Sequence, residues 1–84
     1  MNDDQLSFVM GSKRRQETLL CIAQEKGMAI DIAQRLNIHV TLLYNTLRAL
    51  SKNKLIAHNN VKRYKVYHIT QDGLDVLKHM GVIE

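Results

Sequence analysis

The chain has 84 residues, which is enough for one small domain with a single core and too few for a second domain with a separate sensing or catalytic task. Apolar residues make up 45% of it and charged residues 24%, a balance that excludes a disordered chain. No apolar run is long enough to span a membrane, and the N-terminal residues lack the basic and apolar segments of a signal peptide, so we expect a cytoplasmic location.

The formal net charge of +4 is distributed unevenly along the chain. No acidic residue lies between Asp31 and Asp72, but this segment holds seven basic ones: Arg35, Arg48, Lys52, Lys54, Lys62, Arg63 and Lys65. The rest of the chain carries five basic and eight acidic residues. A basic middle with acidic ends predicts a polyanionic partner. The alternative is a basic face that only keeps the protein in solution.

The chain begins with two predicted elements separated by Gly11. Residues 1–11 are predicted to form an N-terminal arm or a short helix, because they contain the apolar Leu6, Phe8, Val9 and Met10. Residues 12–84 are expected to form the main domain. Its first helix is predicted to start with Ser12 as N-cap and to stop at Gly27.

Two short helices joined by a tight turn come next. They are predicted over about residues 30–36 and 40–52, and Asn37 between them tolerates the left-handed conformation that such a turn requires. Helical spacing places four apolar residues on one face of the second helix, Val40, Leu43, Leu47 and Leu50. The opposite edge of this helix is polar and consists of Thr41, Tyr44, Asn45, Arg48 and Lys52.

A hairpin and a final helix complete the predicted order. Residues 55–58 and 64–69 are rich in aromatic and branched side chains, as in strands, and residues 59–63 are predicted to join them. Thr70 is expected to cap a last helix with an apolar strip of Leu74, Leu77 and Met80. The predicted fold is therefore mainly α with a small two-stranded β wing, a winged helix-turn-helix.

Three segments of the sequence resemble a known family. The segments DIAQRLNI, LLYNTLRAL and VYHITQDGLDVL are similar, in order and spacing, to small prokaryotic winged helix-turn-helix transcription factors of the MarR, ArsR and PadR kind, including minimal archaeal members. The resemblance covers about residues 8 to 80. This sequence departs from the family's pattern in three places. Asn37 stands where Gly is usual, His39 stands where Ser or Thr would cap the next helix, and the wing loop is short.

The resemblance implies a sequence-specific double-stranded DNA-binding regulator of transcription. A major groove about 12 Å wide admits one α-helix, so residues 40–52 would enter it while the wing, residues 55–69, contacts the backbone or minor groove. The candidate DNA-binding residues are His39, Thr41, Tyr44, Asn45, Arg48, Lys52, Lys62, Arg63 and Lys65. Two alternatives remain: a winged-helix module for protein contacts in a transcription or assembly complex, and an architectural protein that binds DNA without sequence preference.

One recognition helix covers only a few base pairs, so a homodimer on two half-sites is expected. Candidate contacts for it are Leu6, Phe8, Val9, Met10, Leu77 and Met80. The four histidines show no spacing typical of a metal site, and the single Cys21 lies among apolar neighbours. No catalytic motif is present, so we expect no metal, no cofactor and no enzymatic activity.

Overall fold

The computed structural model describes all 84 residues, as five helices and one two-stranded antiparallel sheet. In chain order the elements are α1 (Asp3–Met10), α2 (Lys13–Gln24), α3 (Ala29–Leu36), α4 (Val40–Lys52), β1 (Ile56–Val61), β2 (Tyr64–Ile69) and α5 (Gln71–His79). The predicted fold, mainly α with a two-stranded wing, is confirmed. No helix combines the length and the apolar composition needed to cross a membrane.

The N-terminal segment is a helix that packs into the core. Asn2 and Gln5 cap α1 reciprocally: the Asn2 side chain accepts a hydrogen bond from the Gln5 backbone N–H at 2.8 Å, and Gln5 Oε1 accepts one from the Asn2 N–H at 3.0 Å. Val9, near the end of α1, has no exposed surface. Because α1 contacts both α2 and α5, it belongs to the same core as the rest of the chain.

The helix α2 begins as predicted but ends earlier. The Ser12 hydroxyl accepts a hydrogen bond from the Arg15 N–H at 3.3 Å. The helix stops at Gln24, so the predicted stop at Gly27 is wrong. Gly27 instead pairs with Tyr67 of β2 through two backbone hydrogen bonds of 3.1 and 2.8 Å. A contact with a strand 40 residues away along the chain therefore decides the role of this glycine.

The turn between α3 and α4 has the predicted geometry. Asn37 adopts the left-handed conformation, with φ 56° and ψ 46°, and the next N–H, of Ile38, returns to the carbonyl of Ala33 at 3.0 Å. The start of α3 is satisfied by Asp31, whose carboxylate accepts a hydrogen bond from the Met28 N–H at 3.1 Å. These contacts fix the direction in which α4 leaves the turn.

The buried core draws on every helix and both strands. From α4 it takes Leu43, Leu47 and Leu50, as predicted, whereas Val40 is only partly buried. From α5 it takes Val76, which the sequence did not single out, and Leu77. Val9 and Leu77 were expected to contact a second subunit, but both are fully buried inside this one. These two residues therefore stabilise the monomer and are not available to a partner.

The wing is a hairpin with a two-residue turn. β1 continues to Val61, which pairs directly with Tyr64, so the predicted connection over residues 59–63 is wrong. Asn59 and Asn60 join the strand because pairing with β2 outweighs the low strand propensity of asparagine. Lys62 takes φ 58°, the positive value that a two-residue hairpin turn requires. Tyr67 is buried, and Ile69 packs partly against the core.

A polar cluster joins α1, the end of α4 and the start of α5. The Gln5 side-chain amide donates to the Asn53 carbonyl at 2.9 Å and to Asp72 Oδ2 at 3.1 Å. The amino group of Met1 also donates to Asp72, at 3.0 Å. The hydrogen bond from Gln5, followed by that from the amino group, lowers the pKa of the Asp72 carboxyl below its ordinary value.

Replacing Asp72 by asparagine is expected to remove part of the acid sensitivity of folding. A lowered carboxyl pKa stabilises the fold fully above the ordinary value of about 3.9 and loses this effect as the pH falls through the folded-state value. The variant should therefore be less stable than the parent at pH 7, and the difference should shrink towards pH 2. Urea unfolding across this pH range measures it. Asp4→Asn is the control, because the Asp4 side chain forms no hydrogen bond or salt bridge in the chain, and an equal effect there would contradict the expectation.

Candidate nucleic-acid interface

Most of the basic residues in the middle of the chain are free of partners within the protein. Arg35 is the exception: its Nη1 donates to the Glu25 carbonyl at 2.9 Å and its Nη2 lies 3.5 Å from the Glu25 carboxylate. The other six are exposed, form no salt bridge and donate no side-chain hydrogen bond: Arg48, Lys52, Lys54, Lys62, Arg63 and Lys65. None of these six side chains is therefore held by a direct contact with a carboxylate, although Lys54 lies close enough to Asp72 to help lower the pKa of that carboxyl.

The start of α4 is capped by a histidine. His39 Nδ1 accepts a hydrogen bond from the Thr41 N–H at 3.3 Å and also contacts the Thr41 hydroxyl. His39 thus performs the task that Ser or Thr usually has at this position. Both side chains remain exposed at the first turn of the helix.

The polar edge of α4 faces away from the core. Thr41, Tyr44, Asn45, Arg48 and Lys52 are all exposed along the side opposite the buried leucines. Leu42, which lies next to this edge, is 58% exposed. One side of α4 therefore packs in the core, and the other is exposed and available to a partner.

An open groove of about 750 Å³ separates α4 from the wing. Tyr44, Arg48 and Ser51 line it from α4, and the wing contributes Arg63, Tyr64 and Lys65. His58, Tyr67 and residues 28–30 complete the lining. Burial raises the pKa of the Tyr67 phenol, Tyr44 raises it further, and Arg48 opposes both. Tyr44 and Arg48 are therefore close enough to Tyr67 to influence its ionisation.

Some of the predicted DNA-binding residues line the groove, and others lie outside it. Tyr44 and Arg48 face Arg63 and Lys65 across it, although at least 15 positions separate the two pairs in the sequence. The remaining candidates lie outside its lining, at the first turn of α4, along its outer edge or at the wing tip: His39, Thr41, Asn45, Lys52 and Lys62.

Sequence reasoning did not include Tyr64 or His58 among the candidates, and both line the groove. A signal was present for Tyr64, which stands between Arg63 and Lys65 and so combines an aromatic ring with positive charge. No comparable signal marks His58. Its role depends on the packing of the hairpin beside α4.

The structure offers no cluster of three or more His, Cys, Asp or Glu side chains that could hold a metal ion. Cys21 is buried, and this burial raises the pKa of its thiol, although Arg35 acts in the opposite direction. The thiol therefore has the properties of a small apolar core residue.

The arrangement defines a winged helix-turn-helix domain, with α3 and α4 as the helix pair and the β1–β2 hairpin as the wing. Comparisons with protein-family models and with curated protein sequences give no match.

Solved structures show where the fold recurs. A MepR variant of S. aureus bound to an oligodeoxyribonucleotide superposes with a TM-score of 0.80 at 23% identity, covering 95% of this chain and 62% of that one. The homodimeric winged helix-turn-helix DNA-binding domain Mb0332 of Mycobacterium bovis, a possible ArsR-family transcriptional regulator, gives 0.76 at 20% identity, covering 94% and 71%.

ZitR of Lactococcus lactis, a zinc-responsive MarR family member, gives a TM-score of 0.74 at 22% identity and covers 84% of this chain. The chain spans about half the length of ZitR, 51% of it. At these identities the comparisons establish the fold: the chain has the winged helix architecture found in MarR- and ArsR-family regulators.

Proposed function

We propose that this protein is a sequence-specific double-stranded DNA-binding regulator of transcription. The observation that carries the proposal is the set of five basic side chains without a salt bridge, Arg48 and Lys52 on the exposed edge of α4 and Lys62, Arg63 and Lys65 on the wing. A phosphate backbone supplies the negative charge that the chain itself does not provide there. The structural neighbours, one bound to an oligodeoxyribonucleotide, support this assignment. Such a role places the protein in the cytoplasm and requires no enzymatic activity.

The side chains divide into those that position the protein and those that distinguish bases. Lys52 on α4 and the three basic residues of the wing, Lys62, Arg63 and Lys65, would contact phosphates or the minor groove, where little sequence information is available. Arg48 can donate two hydrogen bonds to a guanine and Asn45 can pair with an adenine in the major groove. His39 and Thr41 would contact DNA at the first turn of the helix.

Selection from a random duplex library at physiological salt, followed by sequencing, tests the proposal. Two enriched, related half-sites about one helical turn apart would support a dimeric sequence reader. Retention without an enriched motif would indicate an architectural protein instead. If no DNA is retained, the basic face serves a protein partner and the proposal fails. The affinity should also fall with salt, with a logarithmic slope of about −0.9 for each phosphate neutralised.

A second part of the proposal is that the protein acts as a homodimer. Of the predicted contacts, Met10 is 57% exposed, and Leu6, Phe8 and Met80 are partly buried. The neighbour from Mycobacterium bovis is homodimeric, which supports the same arrangement here. All four residues lie on α1 or directly after α5, outside the basic segment.

Replacing Met10 by glutamate is expected to convert the dimer to a monomer without unfolding the chain. Met10 is exposed in the monomer, so a charge there is costly only when a partner covers it. Sedimentation equilibrium at micromolar concentration measures the change. Leu42→Glu is the matched control, because Leu42 is equally exposed, at 58%, but lies beside the basic edge of α4. Dimers that persist in the Met10 variant would exclude Met10 from the interface.

A further inference from the structure

The groove between α4 and the wing has a composition that binding a closed duplex does not require. Three tyrosines, Tyr44, Tyr64 and Tyr67, line it together with three cations, Arg48, Arg63 and Lys65. A paired base shows a protein only its edge, because neighbouring base pairs cover both faces. An unpaired base exposes its faces, and aromatic rings beside basic side chains are the usual means of holding it.

We propose that this groove binds a short single-stranded nucleic-acid segment, with its bases stacked on the rings of Tyr44 and Tyr64 and its phosphates on the three cations. The inference rests on the proposed function, because it assumes that the face formed by α4 and the wing binds nucleic acid. It adds a second substrate class, unpaired nucleotides, that occupies the space between the two elements that contact the duplex.

The tyrosine rings are placed on both sides of the space they line. Tyr44 belongs to α4 and is 45% exposed, whereas Tyr64 belongs to β2 and is 58% exposed. Tyr67 is mostly buried, and its ring lies 5.8 Å from the ring of His58 at an angle of 58°. Bases entering the groove would meet one accessible ring from the helix and one from the wing.

The requirements of the fold do not explain the two accessible tyrosines. Neither Tyr44 nor Tyr64 belongs to the core or to the side chains packed against it, and neither hydroxyl has a hydrogen-bond partner in the chain. Large exposed apolar side chains beside unpaired charges are typical of binding surfaces.

Charge and volume agree with the same class of ligand. No acidic side chain lines the groove, so a phosphate would meet only positive or neutral groups there. The volume of about 750 Å³ lies within the range of pockets that enclose ligands much larger than a single water or ion. A short single-stranded oligonucleotide is anionic, has aromatic bases and is of a size that such a groove can hold.

Fluorescence anisotropy with a labelled oligothymidylate of about 12 nucleotides, and separately with a fully paired duplex, tests the proposal. The wild-type chain should bind both probes. Tyr64→Ala should weaken single-strand binding about 5- to 100-fold, the loss expected for one stacked base, and should weaken duplex binding by a clearly smaller factor. Tyr64→Phe keeps the ring and should keep single-strand affinity. Val61→Ala, which shortens the residue paired with Tyr64, is the control for the hairpin end.

The outcomes separate this inference from the proposed function. Duplex binding without single-strand binding overturns the inference and leaves the proposed function intact. Equal losses for both probes in Tyr64→Ala, or an equal single-strand loss in Val61→Ala, also overturn it, because the ring would then serve the duplex interface or the hairpin. If the wild-type chain binds neither probe, the proposed function fails together with the inference. Thermal unfolding of each variant establishes that the chain remains folded.

Discussion

Replacing Gly73 by alanine is expected to lower the free energy of unfolding by about 3 kcal/mol, at the upper end of the usual cost of overpacking. Gly73 lies in the first turn of α5, where helix propensity alone would favour alanine by about 1 kcal/mol. The structure reverses this preference. A Cβ atom at this position would clash with the Leu55 carbonyl oxygen and would lie 2.6 Å from Ile69 Cγ1.

The clash cannot be relieved by a simple side-chain movement. The Leu55 carbonyl is held by hydrogen bonds from the Thr70 N–H at 3.1 Å and the Thr70 hydroxyl at 2.9 Å. The same hydroxyl accepts a hydrogen bond from the Gly73 N–H at 3.1 Å, which caps α5. Moving α5 away from Leu55 would therefore break the cap and the connection to the wing together.

Thermal and urea unfolding measure the effect of Gly73→Ala. A loss of about 3 kcal/mol should lower the Tm by more than about 10 °C in a domain of this size. Gly11→Ala is the matched control, because Gly11 ends α1 with an ordinary φ of −74° and a Cβ there would lie 3.2 Å from the nearest carbonyl oxygen. An increase in stability for Gly73→Ala would show that α5 does not approach Leu55 this closely.

Replacing Arg48 by alanine is expected to have the largest effect of any single change on DNA binding. Arg48 is exposed on the polar edge of α4, has no acidic partner and also lines the groove. If its guanidinium forms two hydrogen bonds to a guanine, the loss should be about 1 to 3 kcal/mol, with relaxed preference at one base pair. If it contacts a phosphate, the loss should be uniform across sequences.

Anisotropy titrations with the selected duplex and with point variants of it distinguish these outcomes. Arg48→Lys keeps the charge but removes the planar fork, so it should recover phosphate contact without recovering base preference. Lys78→Ala removes one exposed charge from α5, outside the basic segment, and is the control for net charge. Equal affinities for the Arg48→Ala and Lys78→Ala variants would place Arg48 outside the interface.

Much of the fold follows from local patterns in the sequence. Ser12 and Thr70 cap their helices as predicted, and Asn37 takes the left-handed conformation that its position requires. The bounds of α4 agree with the prediction because the leucine spacing spans the whole helix. Capping, turn conformation and helical periodicity depend on residues within a few positions of one another, so they can be recognised without tertiary information.

The misassigned residues have a common cause. Gly27 pairs with Tyr67, Asn59 and Asn60 extend β1, and Val9 fills the core. At each of these positions, a contact with a residue distant in the chain determines the structure. The neighbouring residues in the sequence suggested a different role. Glycine as a helix stop, asparagine as a loop residue and valine on a free arm are sound local expectations that tertiary pairing overrides.

The candidate site divides in the same way. The sequence by itself determined that the middle of the chain is basic and that α4 has one apolar and one polar side, because charge and periodicity are properties of the chain. Only the tertiary structure decided that Arg35 is tied to Glu25, and that Tyr44 and Arg48 face Tyr64 across a groove. The physical reason is that the groove exists only where the hairpin packs beside α4, and that packing depends on Tyr67, Leu55 and Gly73 meeting residues far from them in the chain.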